Sequence, residues 1–223
     1  MLAKKLLAGT VSPITLEYVG YNSSLNSSSV ALSSALFNVG DLVFFFDNAG
    51  AAFSVSESIP SGWTKLLGCS AYAFFAGHRH SVSYKIITSG DLDTYIYGMS
   101  NVTFNQKVLF GFRANKSMSG LTSDYVDCYN GQSNPAGNSI PAFTTYPYVV
   151  IGGFHTPTTS SGQFDTAWYD SIYYPTCESG ETTGFAFNIF NSGGESCWVD
   201  IDYTASGTEN NELFSAAIFP TFS

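Results

Sequence analysis

The chain has 223 residues, of which 44% are hydrophobic, 16% aromatic and 11% charged, and its 8 Lys and Arg against 17 Asp and Glu leave a formal net charge of −9. Globular domains are usually about 25% charged, so charge is scarce while hydrophobicity is ample, which excludes a disordered chain; no heptad pattern supports a coiled coil, and so few cations cannot build a phosphate-neutralising face. The length fits one large all-β domain, with enough buried surface to fold without a metal or disulfide staple.

At the N-terminus, Lys4-Lys5 precede an apolar run that breaks at Gly9-Thr10. That run falls short of the roughly 7–15 residues of a signal-peptide core, so 1–13 reads as an arm leading into a domain over 14–223. Alternating stretches follow at 15–21 and 82–88, with further strand candidates at 29–37, 41–47, 63–68, 71–76, 94–99, 106–114, 124–129, 147–154, 166–174, 183–191, 197–204 and 212–219. Period-2 alternation puts one face of each strand on a core and the other in water. Leu42-Val43-Phe44-Phe45-Phe46 is apolar throughout and reads as a strand buried on both faces, or as an edge covered by a partner subunit. It is far shorter than the roughly 20 residues of a spanning helix, so no membrane insertion is expected.

Clusters of Gly, Asn, Asp, Ser and Pro separate these stretches, as at Asn38-Val39-Gly40-Asp41, Ile59-Pro60-Ser61-Gly62, Ser89-Gly90-Asp91 and Ser192-Gly193-Gly194. Such residues supply positive φ or bond their own backbone, a physical reason to turn. Asn, Gly, Gln, Ser and Pro over 130–141 read as a long surface loop. No capped period-3.6 segment appears and no internal repeat is apparent. The expected fold is therefore all-β, a single antiparallel β-sandwich or jelly-roll-like domain.

The four cysteines, Cys69, Cys128, Cys177 and Cys197, form no C-x-x-C pair, so zinc and redox motifs are unsupported. Cys177 and Cys197 flank a strand and are candidates for a bridge across a hairpin. His78-Arg79-His80 offers two imidazoles two residues apart, on one side of a strand; the alternative is a polar face or loop. Asp91 and Asp93 read as turn residues. Asp200 and Asp202 alternate with apolar neighbours and read as the wet face of a strand, although paired carboxylates also suit calcium or acid–base chemistry on a sugar. No nucleophile elbow, zinc-protease or P-loop motif occurs. Neither an enzyme nor a cofactor is expected. The remaining resource is exposed aromatics. Trp168, Tyr169, Asp170, Tyr173 and Tyr174 combine ring faces with a carboxylate, as a glycan site needs.

One stretch carries a resemblance. Gly40-Asp41-Leu42-Val43, then Pro60-Ser61-Gly62-Trp63-Thr64, then Tyr84-Lys85-Ile86-Ile87-Thr88-Ser89-Gly90-Asp91 resembles β-rich virion proteins of tailed bacteriophages, particularly of aquatic hosts. The likeness covers about 17–91. It implies a structural scaffold in which Gly40, Asp41, Pro60, Gly62, Trp63, Tyr84 and Lys85 have structural parts to play. It further implies a non-enzymatic tail-associated or fibre-like component contacting the host surface, or else a head-decoration protein; the aromatic and Asp residues keep a lectin-like carbohydrate-binding module as a separate alternative. The implied partners are other virion proteins, copies of itself (a homotrimer is favoured) and a host-surface glycan, with no nucleic acid. The implied location is the virion, after synthesis in the host cytoplasm.

Overall fold

The computed structural model describes residues 12–51, 56–73, 76–99, 102, 104–131, 136–156, 160–164, 171–173, 182–194, 196–205 and 211–223. Its regular elements are strands: β1 (Leu16–Leu25), β2 (Ser29–Leu32), β3 (Leu42–Ala51), β4 (Thr64–Ala73), β5 (Ala76–Ile86), β6 (Thr94–Tyr97), β7 (Phe104–Ala114), β8 (Met118–Gly131), β9 (Ala136–Ile140), β10 (Tyr148–Thr156), β11 (Ser160–Phe164), β12 (Ser171–Tyr173), β13 (Thr182–Phe190), β14 (Cys197–Ala205) and β15 (Asn211–Phe222). Among the described residues no helix is long and apolar enough to cross a membrane.

Two five-stranded antiparallel sheets pack face to face, ordered β1-β7-β3-β5-β4 and β12-β13-β10-β15-β8. Alternation explains the core between them. Phe44, Phe46, Phe110 and Phe112 of the first sheet meet Val149, Ile151, Phe185 and Phe187 of the second. The Phe110 and Phe185 rings stack across the gap at 4.8 Å. The intervening residues of β3, Val43 and Phe45, point the other way, into a second cluster with Val30, Leu32, Trp63 and Ile96. Leu42 to Phe46 is thus buried on both faces within the chain, and β3 is the central strand of its sheet rather than an edge covered by a partner.

Both sheets are covered on their outer faces. The two-stranded ribbon β2-β6 lies over the first sheet, and Ile140 of the three-stranded sheet β11-β14-β9 packs with Tyr148, Val150 and Phe154 on the second.

The topology contains a duplication that the sequence reading did not find. The first sheet is built wholly from residues before 115 and the second wholly from residues after 117. Replacing β1, β7, β3, β5 and β4 in order by β8, β15, β10, β13 and β12 converts one sheet order into the other. The same substitution turns the ribbon β2-β6 into the pair β9-β14, to which the second half adds β11.

Register aligns individual residues. Leu42 lies opposite Phe112 and Ile86, and Val149 lies opposite Ile218 and Ile189. This sets Tyr84-Lys85-Ile86-Ile87-Thr88-Ser89-Gly90 beside Phe187-Asn188-Ile189-Phe190-Asn191-Ser192-Gly193. The same step carries Thr94 onto Cys197, and their partners, Leu32 and Ile140, are both fully buried. The repeat escapes notice in sequence because a sheet demands only alternation and turn chemistry; the apolar residues at equivalent positions differ almost throughout.

Several elements differ from expectation: β3 runs on to Ala51, β8 spans Met118–Gly131, and β11 falls outside the strand candidates. The stretch 71–76 is not a strand of its own, because β4 runs to Ala73 and β5 begins at Ala76. The expected strand 29–37 ends at Leu32, where Ser33 turns the chain: its carbonyl accepts from the Phe37 amide at 2.9 Å. The segment 130–141, expected as a loop, holds the end of β8 and all of β9, whose Ala136 to Ile140 pair with β14. Its Gly, Asn and Ser residues signal turns locally, but the strand is specified by a partner about sixty residues away.

Candidate functional site

The turn and strand residues between Gly40 and Asp91 converge on one corner of the first sheet. Gly40, at φ +92°, bends the chain into β3. Its amide donates to the Ile87 carbonyl at 2.8 Å, and the Ile87 amide donates to the Asp41 carbonyl at 2.9 Å. The Asp41 side chain is buried and accepts Arg113 Nε on Oδ1 and Nη2 on Oδ2, both at 2.8 Å. Its Oδ2 also accepts the Asn38 amide at 2.7 Å. Such a bidentate fork is the strong form of the carboxylate–guanidinium bond, and the bonds to Asp41 raise the Arg113 pKa.

Pro60 and Gly62 (φ +77°) shape a turn closed by the Trp63 amide on the Pro60 carbonyl at 3.0 Å. Trp63 then enters the outer cluster edge-on to Phe45, ring centroids 5.9 Å apart. Tyr84 packs against the inter-sheet core. Lys85 Nζ reaches Asp91, whose Oδ2 also accepts the Thr88 amide at 2.8 Å and hydroxyl at 2.6 Å. Burial pulls the Asp91 pKa upward, but the bonds from Lys85 and Thr88 outweigh it and leave the group below its ordinary value. Gly40, Asp41, Pro60, Gly62, Trp63, Tyr84 and Lys85 therefore all act in turns, ties or packing. Behind Asp41 and Arg113 lies a polar cleft of about 440 Å³ bordered by Asn38, Asn115 and Lys116.

These ties fix one end of the β2-β6 ribbon. Asp93, at φ +58°, donates its amide to the Leu32 carbonyl at 2.8 Å, and its carboxylate accepts the Ser34 amide and hydroxyl. Those two bonds lower its pKa.

The other end is held by a buried ion pair that local sequence does not reveal. Asp47 and Lys107 stand directly opposite each other on β3 and β7, on the outer side, beneath the segment leaving β6. Both side chains are fully buried, with Nζ 3.1 Å from Oδ1. The Met99 amide donates to Asp47 Oδ2 at 2.6 Å, and Lys107 Nζ donates to the Met99 carbonyl at 3.1 Å. Gly98 is required beside them, because a Cβ there would collide with the Asp47 carboxylate. Burial raises the Asp47 pKa against the opposing pull of Lys107 and the Met99 amide.

Between these anchors the ribbon presents two tyrosines. Tyr95 and Tyr97 are 63% and 61% exposed while Ile96 between them is 7% exposed, so both rings share the solvent face. Their cross-strand neighbours are small, Ala31 and Ser29. In the second half the register position of Tyr95 is taken by Trp198. The sequence contained a signal for this face, since Thr94-Tyr95-Ile96-Tyr97 alternates. What it lacked was the solvent side of that alternation.

Of the glycan candidates, Trp168, Tyr169, Asp170 and Tyr174 lie outside the described residues. Tyr173 lies on β12, half-buried, its ring 5.1 Å from those of Tyr18 and Phe185. Burial, followed by the neighbouring tyrosines, raises the Tyr18 pKa. Cys177 is also outside the described residues, and Cys197 opens β14 opposite Ile140. His78-Arg79-His80 lies on β5, where His80 stacks on Phe46 at 5.4 Å and Arg79 meets Glu57 at 3.1 Å. Asp200 and Asp202 lie on β14, opposite Gly137 and Gln163. Among the described residues no three His, Cys, Asp or Glu side chains gather as metal ligands. No protein-family model, curated protein or solved structure matches the chain.

Proposed function

We propose that the chain is a non-enzymatic structural protein of a bacteriophage particle, a tail-associated or fibre-like component that contacts the host surface. The observation that carries this reading is the exposed pair Tyr95 and Tyr97 on a ribbon tied at both ends by Asp91, Asp93 and the Asp47–Lys107 pair. A contact surface gains affinity when its groups are ordered before binding, and tyrosine offers a flat apolar ring with a polar tip. The charged groups of the phage-like corner support the same reading, because Asp41 with Arg113 and Lys85 with Asp91 are engaged with each other.

The face around Tyr95 and Tyr97 favours a host-surface glycan as target. Its small cross-strand neighbours leave both rings accessible to a flat sugar face. Binding by one copy would be weak; several copies on a particle, in a homotrimer and among other virion proteins, gain avidity through effective concentration. The net charge of −9 disfavours nucleic acid as a partner.

Two experiments test the proposal. Immunogold labelling of purified particles is expected to mark the tail; label over the head selects a decoration role, and absence of the protein from particles overturns the virion assignment. Separately, trimer-presented protein is expected to bind a glycan array or host polysaccharide, and Tyr95→Ser with Tyr97→Ser to abolish that binding. Unchanged binding by the double variant rejects this face as the contact surface.

A further inference from the structure

The Asp47–Lys107 pair does more than an anchor requires. The second half of the molecule builds the same place without charge, since Phe154 opposite Leu213 occupies the register positions of Asp47 opposite Lys107. Two charges taken wholly out of water carry a desolvation cost that their mutual attraction often fails to recover. A fold that accepts an apolar pair at these register positions in one half thus retains an amine and a carboxyl in the other, in contact and fully buried.

We infer that Asp47 and Lys107 condense into an intramolecular amide that covalently joins β3 to β7. The geometry carries this. Nζ sits 3.1 Å from Oδ1. The opposite oxygen, Oδ2, accepts the Met99 amide at 2.6 Å, where a backbone donor stabilises the oxyanion formed when the carboxyl carbon is attacked. The Met99 carbonyl accepts from Nζ at 3.1 Å and so holds the amine in place. Adjacent strands and full burial fix both partners, which gives the reaction its effective molarity.

The step balances without an oxidant or co-reactant. Proton transfer within the pair gives a neutral carboxylic acid and a neutral amine, a state that burial of Asp47 favours. The Nζ lone pair then forms a bond to Cγ. The Cγ–Oδ1 bond breaks, and Oδ1 leaves as water with the carboxyl proton and one amine proton. The product is a secondary amide whose N–H remains directed at the Met99 carbonyl and whose oxygen still accepts the Met99 amide. It removes two buried charges, and the full burial of both side chains keeps the new bond away from bulk solvent.

Intact-mass spectrometry of the denatured full chain, aged at neutral pH, decides the matter. The expected mass is lower by one water than the sequence requires. Trypsin is expected to skip Lys107 and to release a branched peptide joining the segments around residues 47 and 107. Lys107→Arg, which keeps the charge but offers no amine, is expected to show the full mass. A wild-type chain that retains the full mass after ageing, or a lost water mapped to other residues, overturns the inference. The wild-type measurement stands even if the variant does not fold.

Discussion

The two halves of the molecule solve one architecture with different chemistry at equivalent places. Where the second half sets Phe154 opposite Leu213, the first sets Asp47 opposite Lys107. Where the second has Asn188 and, beyond its Ser192-Gly193 turn, Gly194, the first has Lys85 and Asp91 joined by an ion pair. The sheet order therefore does not depend on these charges. They act locally, at the two ends of the ribbon that displays Tyr95 and Tyr97. The second half has an aromatic at an equivalent ribbon position, Trp198, but neither of these two ion pairs.

The largest expected effect comes from breaking the buried pair. Measured against freshly folded wild type that still carries its full mass, Lys107→Ala should destabilise the fold by about 3–5 kcal/mol, because it leaves the buried Asp47 carboxyl without its cation and with the Met99 amide as its remaining donor. Joint replacement, Asp47→Leu with Lys107→Met, copies the apolar solution of the second half and should lie closer to wild type than the single variant. It should not recover fully, since the Met99 amide and carbonyl lose their partners. Urea melts of the three proteins measure both quantities. At the matching place in the second half, Phe154→Ala should also cost about 3–5 kcal/mol, but through a cavity.

Crowding provides the next test. A Cβ at Gly98 would meet the Asp47 carboxylate, and one at Gly184 would meet the Phe154 ring. Each Gly→Ala change should destabilise by about 1–3 kcal/mol. Combining Gly98→Ala with Asp47→Ala should show strong non-additivity by thermal melting, because removal of the carboxylate frees the space.

Smaller effects follow at the other end of the ribbon. Lys85→Ala should cost about 1 kcal/mol, since the pair is partly exposed and Asp91 keeps its bonds from Thr88. The pH dependence has a definite sign. Asp91 has a depressed pKa in the folded chain, so its contribution is present above the unfolded carboxylate value and lost as pH falls through the folded value. Asp47, before cross-linking, has a raised pKa and acts oppositely: its share is complete below the unfolded value and is lost as pH rises through the folded value. Asp91→Asn should accordingly flatten the acid limb of a stability–pH curve. Least of all, Tyr95→Ser and Tyr97→Ser should each change stability by less than about 0.5 kcal/mol while still removing surface contact, as unchanged melting with lost glycan binding would show.

Much of this was legible in the residues alone. Alternation fixed an all-β chain, the unbroken run from Leu42 to Phe46 marked a strand buried on both faces, and Gly40, Pro60 and Gly62 marked real turns. These features are local, because strand period and positive φ are set by neighbouring residues. The duplication, the strand at 136–140 and the pairing of Asp47 with Lys107 were decided only by the tertiary structure. Each depends on which strand becomes the neighbour of which, and Lys107 is sixty residues from its partner. Pairing between distant strands is chosen by the whole set of faces that must be buried together, and no short window of sequence contains that choice.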